Sequence, residues 1–122
     1  MVEKGIPKLY SRDMLELYKS PSNFGNLENS THEATESDSI CGDEITVQLL
    51  VKDRTIRNVK FSGSGCVISL VSASLLTDKI KGMNLKDAQK LNKENVLKLL
   101  RFKVPDSRIK CALLPLKTIK KI

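Results

Sequence analysis

The sequence predicts an α+β fold: a small three-stranded antiparallel sheet packed with an N-terminal helix and several C-terminal helices. Three observations carry this. Apolar and polar residues alternate around Ile45, Val47 and Leu49 and resume after a polar turn. Helical periodicities bounded by capping residues then fill the chain from Ser69 onward. A length of 122 residues suits one domain, read as 1–122, and is short for two independent cores.

The elements follow in order. Met14, Leu15, Leu17 and Tyr18 stand at helical spacing behind Ser11, a plausible N-cap, so a short helix spans Ser11 to Lys19. Pro21 ends it. Ser20 to Ser39 is rich in Ser, Asn, Glu and Thr without a sustained period and reads as a long polar loop. Ile45 to Val51 and Thr55 to Phe61 form two strands around Lys52-Asp53-Arg54, a β-hairpin. Gly63 and Gly65 break the pattern before Cys66, after which there is room for a brief third strand that sequence does not separate from the next helix. Val71, Leu75, Leu76 and Ile80 line a helix over Ser69 to Lys81 that Gly82 stops. Asn84 caps Leu85 to Leu91, Asn92 caps Lys93 to Arg101, and Asp106 or Ser107 starts a last helix toward Lys121 that Pro115 should kink or shorten.

Composition narrows the function classes. Apolar residues are 40% of the chain but only five are aromatic (Tyr10, Tyr18, Phe24, Phe61, Phe102), so the core is mainly aliphatic. No basic start precedes a long apolar run, and no apolar stretch approaches the roughly 20 residues of a membrane span. A soluble, cytoplasmic protein is expected. Three cysteines, an odd number, argue against a disulfide framework and for thiolate or metal chemistry.

The net charge of +7 is uneven: Ser20 to Val51 has six acids and no Lys or Arg, whereas residues 52–122 carry 17 basic against five acidic side chains. Solvated helix faces explain most of this, with an acidic protein partner next. Nucleic-acid binding is disfavoured because stacking aromatics and a reading helix are both missing. No acid–base pair or phosphate loop marks a conventional enzyme.

The chemistry concentrates on Cys41, Asp43, Cys66 and Cys111, each beside a structural break. Three thiolates and a carboxylate suit tetrahedral zinc or an iron–sulfur cluster with one oxygen ligand, and the oxygen makes such a site more labile than an all-cysteine one. Arg108, Lys110 and a helix start beside Cys111 favour its thiolate. Spacing alone leaves open the alternative of three small buried cysteines, since there is no C-x-x-C pair. His32, the only histidine, reads as an exposed loop residue.

The segments Ser20-Pro21-Ser22-Asn23-Phe24-Gly25, Cys41-Gly42-Asp43, Phe61-Ser62-Gly63-Ser64-Gly65-Cys66-Val67-Ile68-Ser69, Ser72 to Gly82 and Arg108-Ile109-Lys110-Cys111-Ala112 resemble, in order, the IscU/SufU/NifU-N-terminal family over nearly the whole chain. The resemblance implies a scaffold that binds iron, accepts sulfur from a cysteine desulfurase, and passes a transient [2Fe–2S] cluster to apo iron–sulfur client proteins. The alternative it implies is a zinc-dependent sulfur carrier. It also implies that Cys41, Asp43, Cys66 and Cys111 are the ligands, with Cys41 and Cys111 as persulfide acceptors. Arg108 and Lys110 would then assist electrostatically. The chain departs from IscU-type members in having Lys110 where they have His, and Lys103-Val104-Pro105-Asp106-Ser107 where they have the chaperone motif Leu-Pro-Pro-Val-Lys. Arg108 is SufU-like, but the SufU insertion between the second and third cysteines is missing.

Overall fold

The computed structural model describes residues 12–39, 42–100 and 103–122, so Cys41 and the expected cap Ser11 lie outside the described residues. Helix α1 (Arg12–Lys19) buries Met14. The chain then forms strands β1 (His32–Asp38), β2 (Asp43–Lys52) and β3 (Thr55–Ser64), followed by helices α2 (Val67–Ile80), α3 (Leu85–Gln89), α4 (Lys93–Leu100) and α5 (Ile109–Lys121). The sheet is antiparallel with order β1-β2-β3.

One expectation fails here. The third strand does not follow Cys66; it lies inside the segment read as a loop, as β1. Its sequence, HEATESD, offers one aliphatic side chain and no apolar run. It is an edge strand held by main-chain pairing to β2, from His32↔Leu49 to Asp38↔Asp43. Acidic side chains on such an edge discourage pairing with other chains. His32 therefore opens a strand, and its ring nitrogen lies 2.8 Å from Thr31 Oγ1.

The hairpin forms as expected. Asp53 and Arg54 both take positive φ (54° and 67°), the backbone of a two-residue turn whose twist matches the strands. A bulge at Leu50/Val51 shifts the register, and this lets Ile56 and Val59, three positions apart, both face inward. With Ile45, Val47, Leu49 and Phe61 they cover the inner face of the sheet. Asn23 to Gly25 run along β3: Gly25 N–H donates to Phe61 O and Phe61 N–H to Asn23 O, both at 2.9 Å, while Leu27 and Thr31 bond to Gln48 and Leu49 of β2. Asn23, at φ 63°, also donates to Thr77 Oγ1 and Asp78 Oδ1 at 2.9 Å each.

At the end of β3 the two strands close tightly. A Cβ at Gly63 would land on the Glu44 carbonyl, and its φ of +133° also disfavours any side chain. This brings β3 against the first residues of β2, next to Asp43.

Helix α2 is the central helix. It is buried nearly all round, including Ser69, Ser72, Ser74 and Thr77. Each hydroxyl has a carbonyl: Ser69 donates to Cys66 O (3.1 Å), Ser74 to Leu70 O (3.1 Å) and Thr77 to Ala73 O (2.7 Å). Ser72 reaches across to Ala112 O of α5 at 2.6 Å. Those small side chains allow α2 to pack against β3 and, at its side, against α5 without orphaned polar atoms.

The short helices are capped as read. Asn84 Oδ1 accepts from Lys86 N–H, and Asn92 and Asn95 accept reciprocally from each other's N–H, all at 2.9 Å. A 3-10 turn, Asp106–Arg108, leads into α5. Pro115 does not shorten α5, which continues to Lys121. Among the described residues, no helix is long and apolar enough to cross a membrane.

Candidate functional site

Asp43, Cys66 and Cys111 meet because each stands at the beginning of an element. Asp43 opens β2 after Gly42, whose positive φ (76°) and N–H bond to Asp38 O (2.7 Å) turn the chain back from β1. Cys66 precedes α2 in an extended conformation. Its carbonyl accepts from Leu70 N–H and the Ser69 hydroxyl at 3.1 Å each, while its side chain makes no capping bond. The thiol is thus left to the site. Cys111 falls in the first turn of α5, fully buried, backed by Ile68, Val71, Val104 and Ala112.

The ligand atoms of the three residues all lie within 4.8 Å of one another. Zn–S bonds near 2.3 Å and tetrahedral angles require donors roughly 3.5–4 Å apart, so small side-chain shifts would bring these atoms onto one ion. The donor set also fits a cation on a second ground. Asp43 is 4% exposed, and its Oδ2 is buried with no hydrogen-bond partner among the described residues. An unpaired buried carboxylate oxygen is costly, and a cation beside it removes the cost. Two sulfurs and an oxygen accept zinc, iron or an iron–sulfur cluster.

The site opens into a cleft of about 680 Å³ lined by Gly42, Asp43, Gly65, Cys66, Ser107 and Arg108. Arg108 lies exposed at the rim. Its guanidinium is held charged beyond its ordinary range, first by a hydrogen bond to the Cys111 side chain and then by the charges of Cys66 and Cys111. The cation expected from sequence thus faces both thiols. Lys110 does not line this cleft. It lies on the other flank of α5, where it lines a groove of about 490 Å³ with Leu113, Lys117 and the end of β1. Cys41 lies outside the described residues, while its neighbour Gly42 lines the cleft. His32 is not part of the cluster.

Sequence reading missed Gly65, Ser69 and Ser107. Gly65 reads as a strand breaker, yet it is packed against the Asp43 carboxylate and Ser69. The only signal for this was its place directly before Cys66.

The family model for the NifU-like N-terminal domain matches residues 9–122. The protein named iron-sulfur cluster assembly scaffold protein IscU from Thermotoga maritima is 33% identical over 128 residues, covering 92% of this chain and 90% of that one. The zinc-dependent sulfurtransferase SufU of Bacillus subtilis is 33% identical over 88 residues, covering 72% of this chain and 59% of that one. A crystal structure from Fervidobacterium islandicum AW-1, described as a putative iron-sulfur cluster assembly scaffold protein for the SUF system, superposes with a TM-score of 0.81 at 29% identity. It covers 93% of this chain and 95% of that one. On this fold, these donors and these relatives, the chain belongs to the IscU/SufU/NifU-N-terminal family.

Proposed function

We propose that this chain, working as one domain over residues 1–122, is a scaffold for iron–sulfur cluster assembly. Iron and sulfide are its cargo. Asp43, Cys66 and Cys111, with Cys41 as fourth donor, hold a transient [2Fe–2S] cluster that is passed to apo iron–sulfur client proteins. The observation that carries this is the buried Oδ2 of Asp43, without a hydrogen-bond partner among the described residues, beside two thiols. Thiolates bind iron firmly, and a single carboxylate weakens the set enough for release.

Sulfur arrives from a cysteine desulfurase as a persulfide. A thiolate of Cys41 or Cys111 attacks the outer sulfur, a new S–S bond forms, and the donor's S–S bond breaks with its cysteine leaving as thiolate. Arg108, hydrogen-bonded to Cys111, supplies positive charge where the attacking thiolate and the anionic persulfide meet. The chain's role is carriage rather than turnover of a small substrate. Anaerobic reconstitution with ferrous iron, cysteine, a desulfurase and a dithiol reductant, which completes the two-electron reduction of each persulfide sulfur to sulfide, should load iron and acid-labile sulfide in equal amounts, and Cys66→Ser should lose both. A wild-type chain that retains neither would sink the proposal.

A second reading is a zinc-dependent sulfur carrier, favoured by the contact of Arg108 with both thiols and by likeness to the Bacillus subtilis sulfurtransferase. Asp43, Cys66, Cys111 and Cys41 would hold the zinc, which keeps thiolates deprotonated when bound. Stoichiometric zinc without sulfide in protein purified without oxygen, with stimulation of the desulfurase, would select it over the scaffold.

A further inference from the structure

We infer that Gly65 is a positioning residue for the Asp43 oxygen donor: the volume left by its missing side chain is the volume in which the Asp43 carboxylate stands. The inference rests on Asp43 being a donor, as proposed above, and concerns what keeps it in place.

A Cβ built on Gly65 would fall on Ser69 Oγ and lie 3.0 Å from Asp43 Cγ and 3.1 Å from Asp43 Oδ1. Backbone freedom is not the reason for glycine here. Gly25, Gly42, Gly63 and Gly82 take positive φ and Gly65 does not, so alanine fits its backbone and only the space is refused. Of the two neighbours, Ser69 has an escape, since its hydroxyl can rotate away from Cys66 O at the loss of one 3.1 Å hydrogen bond. Asp43 has less freedom. Its backbone is paired in the β1–β2 ladder opposite Asp38, so only its side chain can yield.

Contacts of 3.0–3.1 Å to carboxylate atoms force them back by a few tenths of an ångström. To bind, the carboxylate must close on the thiols, and metal–ligand distances tolerate about 0.2 Å, so a methyl that holds it back by more than this keeps the oxygen out of the donor set while the thiols stay. Gly65 therefore decides whether the cluster of donors contains its oxygen, although it contributes no ligand atom.

Cobalt(II) is the probe, since its visible ligand-field bands report donor type. It is titrated anaerobically into chelator-treated full chain carrying Asp43→Ala, Gly65→Ala, both, or Gly65→Ala with Ser69→Ala. Gly65→Ala should reproduce the spectrum of Asp43→Ala and bind cobalt roughly 10- to 100-fold more weakly than wild type, the usual effect of losing a supporting residue. With the Asp43 carboxylate already removed, the new methyl has no donor to displace, so the double variant should match Asp43→Ala alone. Adding Ser69→Ala should restore the unfolding midpoint of Gly65→Ala but not its spectrum, and this variant carries the test if Gly65→Ala folds poorly. A wild-type spectrum for Gly65→Ala, or an equal further loss of affinity on top of Asp43→Ala, overturns the inference and leaves the donor reading standing. A wild-type spectrum for Asp43→Ala overturns the donor reading itself.

Discussion

Replacing Asp43 with alanine should stabilise the metal-free chain and lose that advantage when zinc is bound. In the metal-free chain Oδ2 is buried without a hydrogen-bond partner among the described residues. An orphaned buried polar group costs about 1–3 kcal/mol, more when it is charged. The substitution removes that cost and leaves only a small gap, since the side chain borders the open cleft. A net gain of about 1–2 kcal/mol follows, and Tm should rise by about 3–6 °C per kcal/mol for a domain of this size. With saturating zinc that gain is offset. Loss of the oxygen donor weakens binding by about 10- to 100-fold, which removes about 1.4–2.7 kcal/mol of ligand-linked stability. The assay is urea unfolding of chelated and zinc-loaded protein, with equal m-values confirming comparable transitions. If chelated Asp43→Ala is the less stable protein, the carboxylate is satisfied in the free chain and the reasoning above is wrong.

Three further outcomes follow from the same geometry. Gly63→Ala should cost about 1–3 kcal/mol from backbone strain alone, with the collision on the Glu44 carbonyl added, and a urea midpoint equal to wild type would refute the close approach of β3. Ser72→Ala deletes the 2.6 Å bond to Ala112 O between α2 and α5; a loss of about 1–2 kcal/mol is expected, and none at all would mean the carbonyl finds another donor. Arg108→Ala, at an exposed position, should leave the unfolding midpoint unchanged yet slow sulfur transfer from the desulfurase, with Arg108→Lys recovering part of the rate; equal transfer rates in all three would remove Arg108 from the chemistry.

Where side-chain pattern and local chemistry agree, the fold was legible. Ile45, Val47 and Leu49 announced β2, Asn84 and Asn92 announced their helices, and Lys52-Asp53-Arg54 announced the turn. β1 was not legible because nothing in its own side chains requires a strand; its order comes from main-chain bonds to β2 and from α5 packed beside it. Helix α5 outlasted the expectation set by Pro115 because its buried face, through Leu116 and Ile119, is held in the core beyond the missing N–H. Packing overrode local propensity there.

The site was legible as residue types, not as an arrangement. Asp43, Cys66 and Cys111 could be named because thiolates and a carboxylate beside glycines suggest ligands, but only the register shows why they meet. Asp43 is the last pair of the β1–β2 ladder, Gly63 draws β3 onto that end, and the chain leaves β3 through Gly65 and Cys66 directly into α2. The bond from Ser72 to Ala112 then brings the first turn of α5, and Cys111 with it, against the same end of α2. Each step places one candidate donor by backbone geometry or buried packing, so Asp43, Cys66 and Cys111 stand within small side-chain shifts of a common ion. Among the described residues, Asp43 Oδ2 is buried without a hydrogen-bond partner, and a cation at this site would supply one. Under the proposed function, such a site would take its cargo through an oxygen that gains a partner on binding, and the same oxygen, a harder ligand than the thiolates, would ease release. Capture and release would then be set by the same side chain.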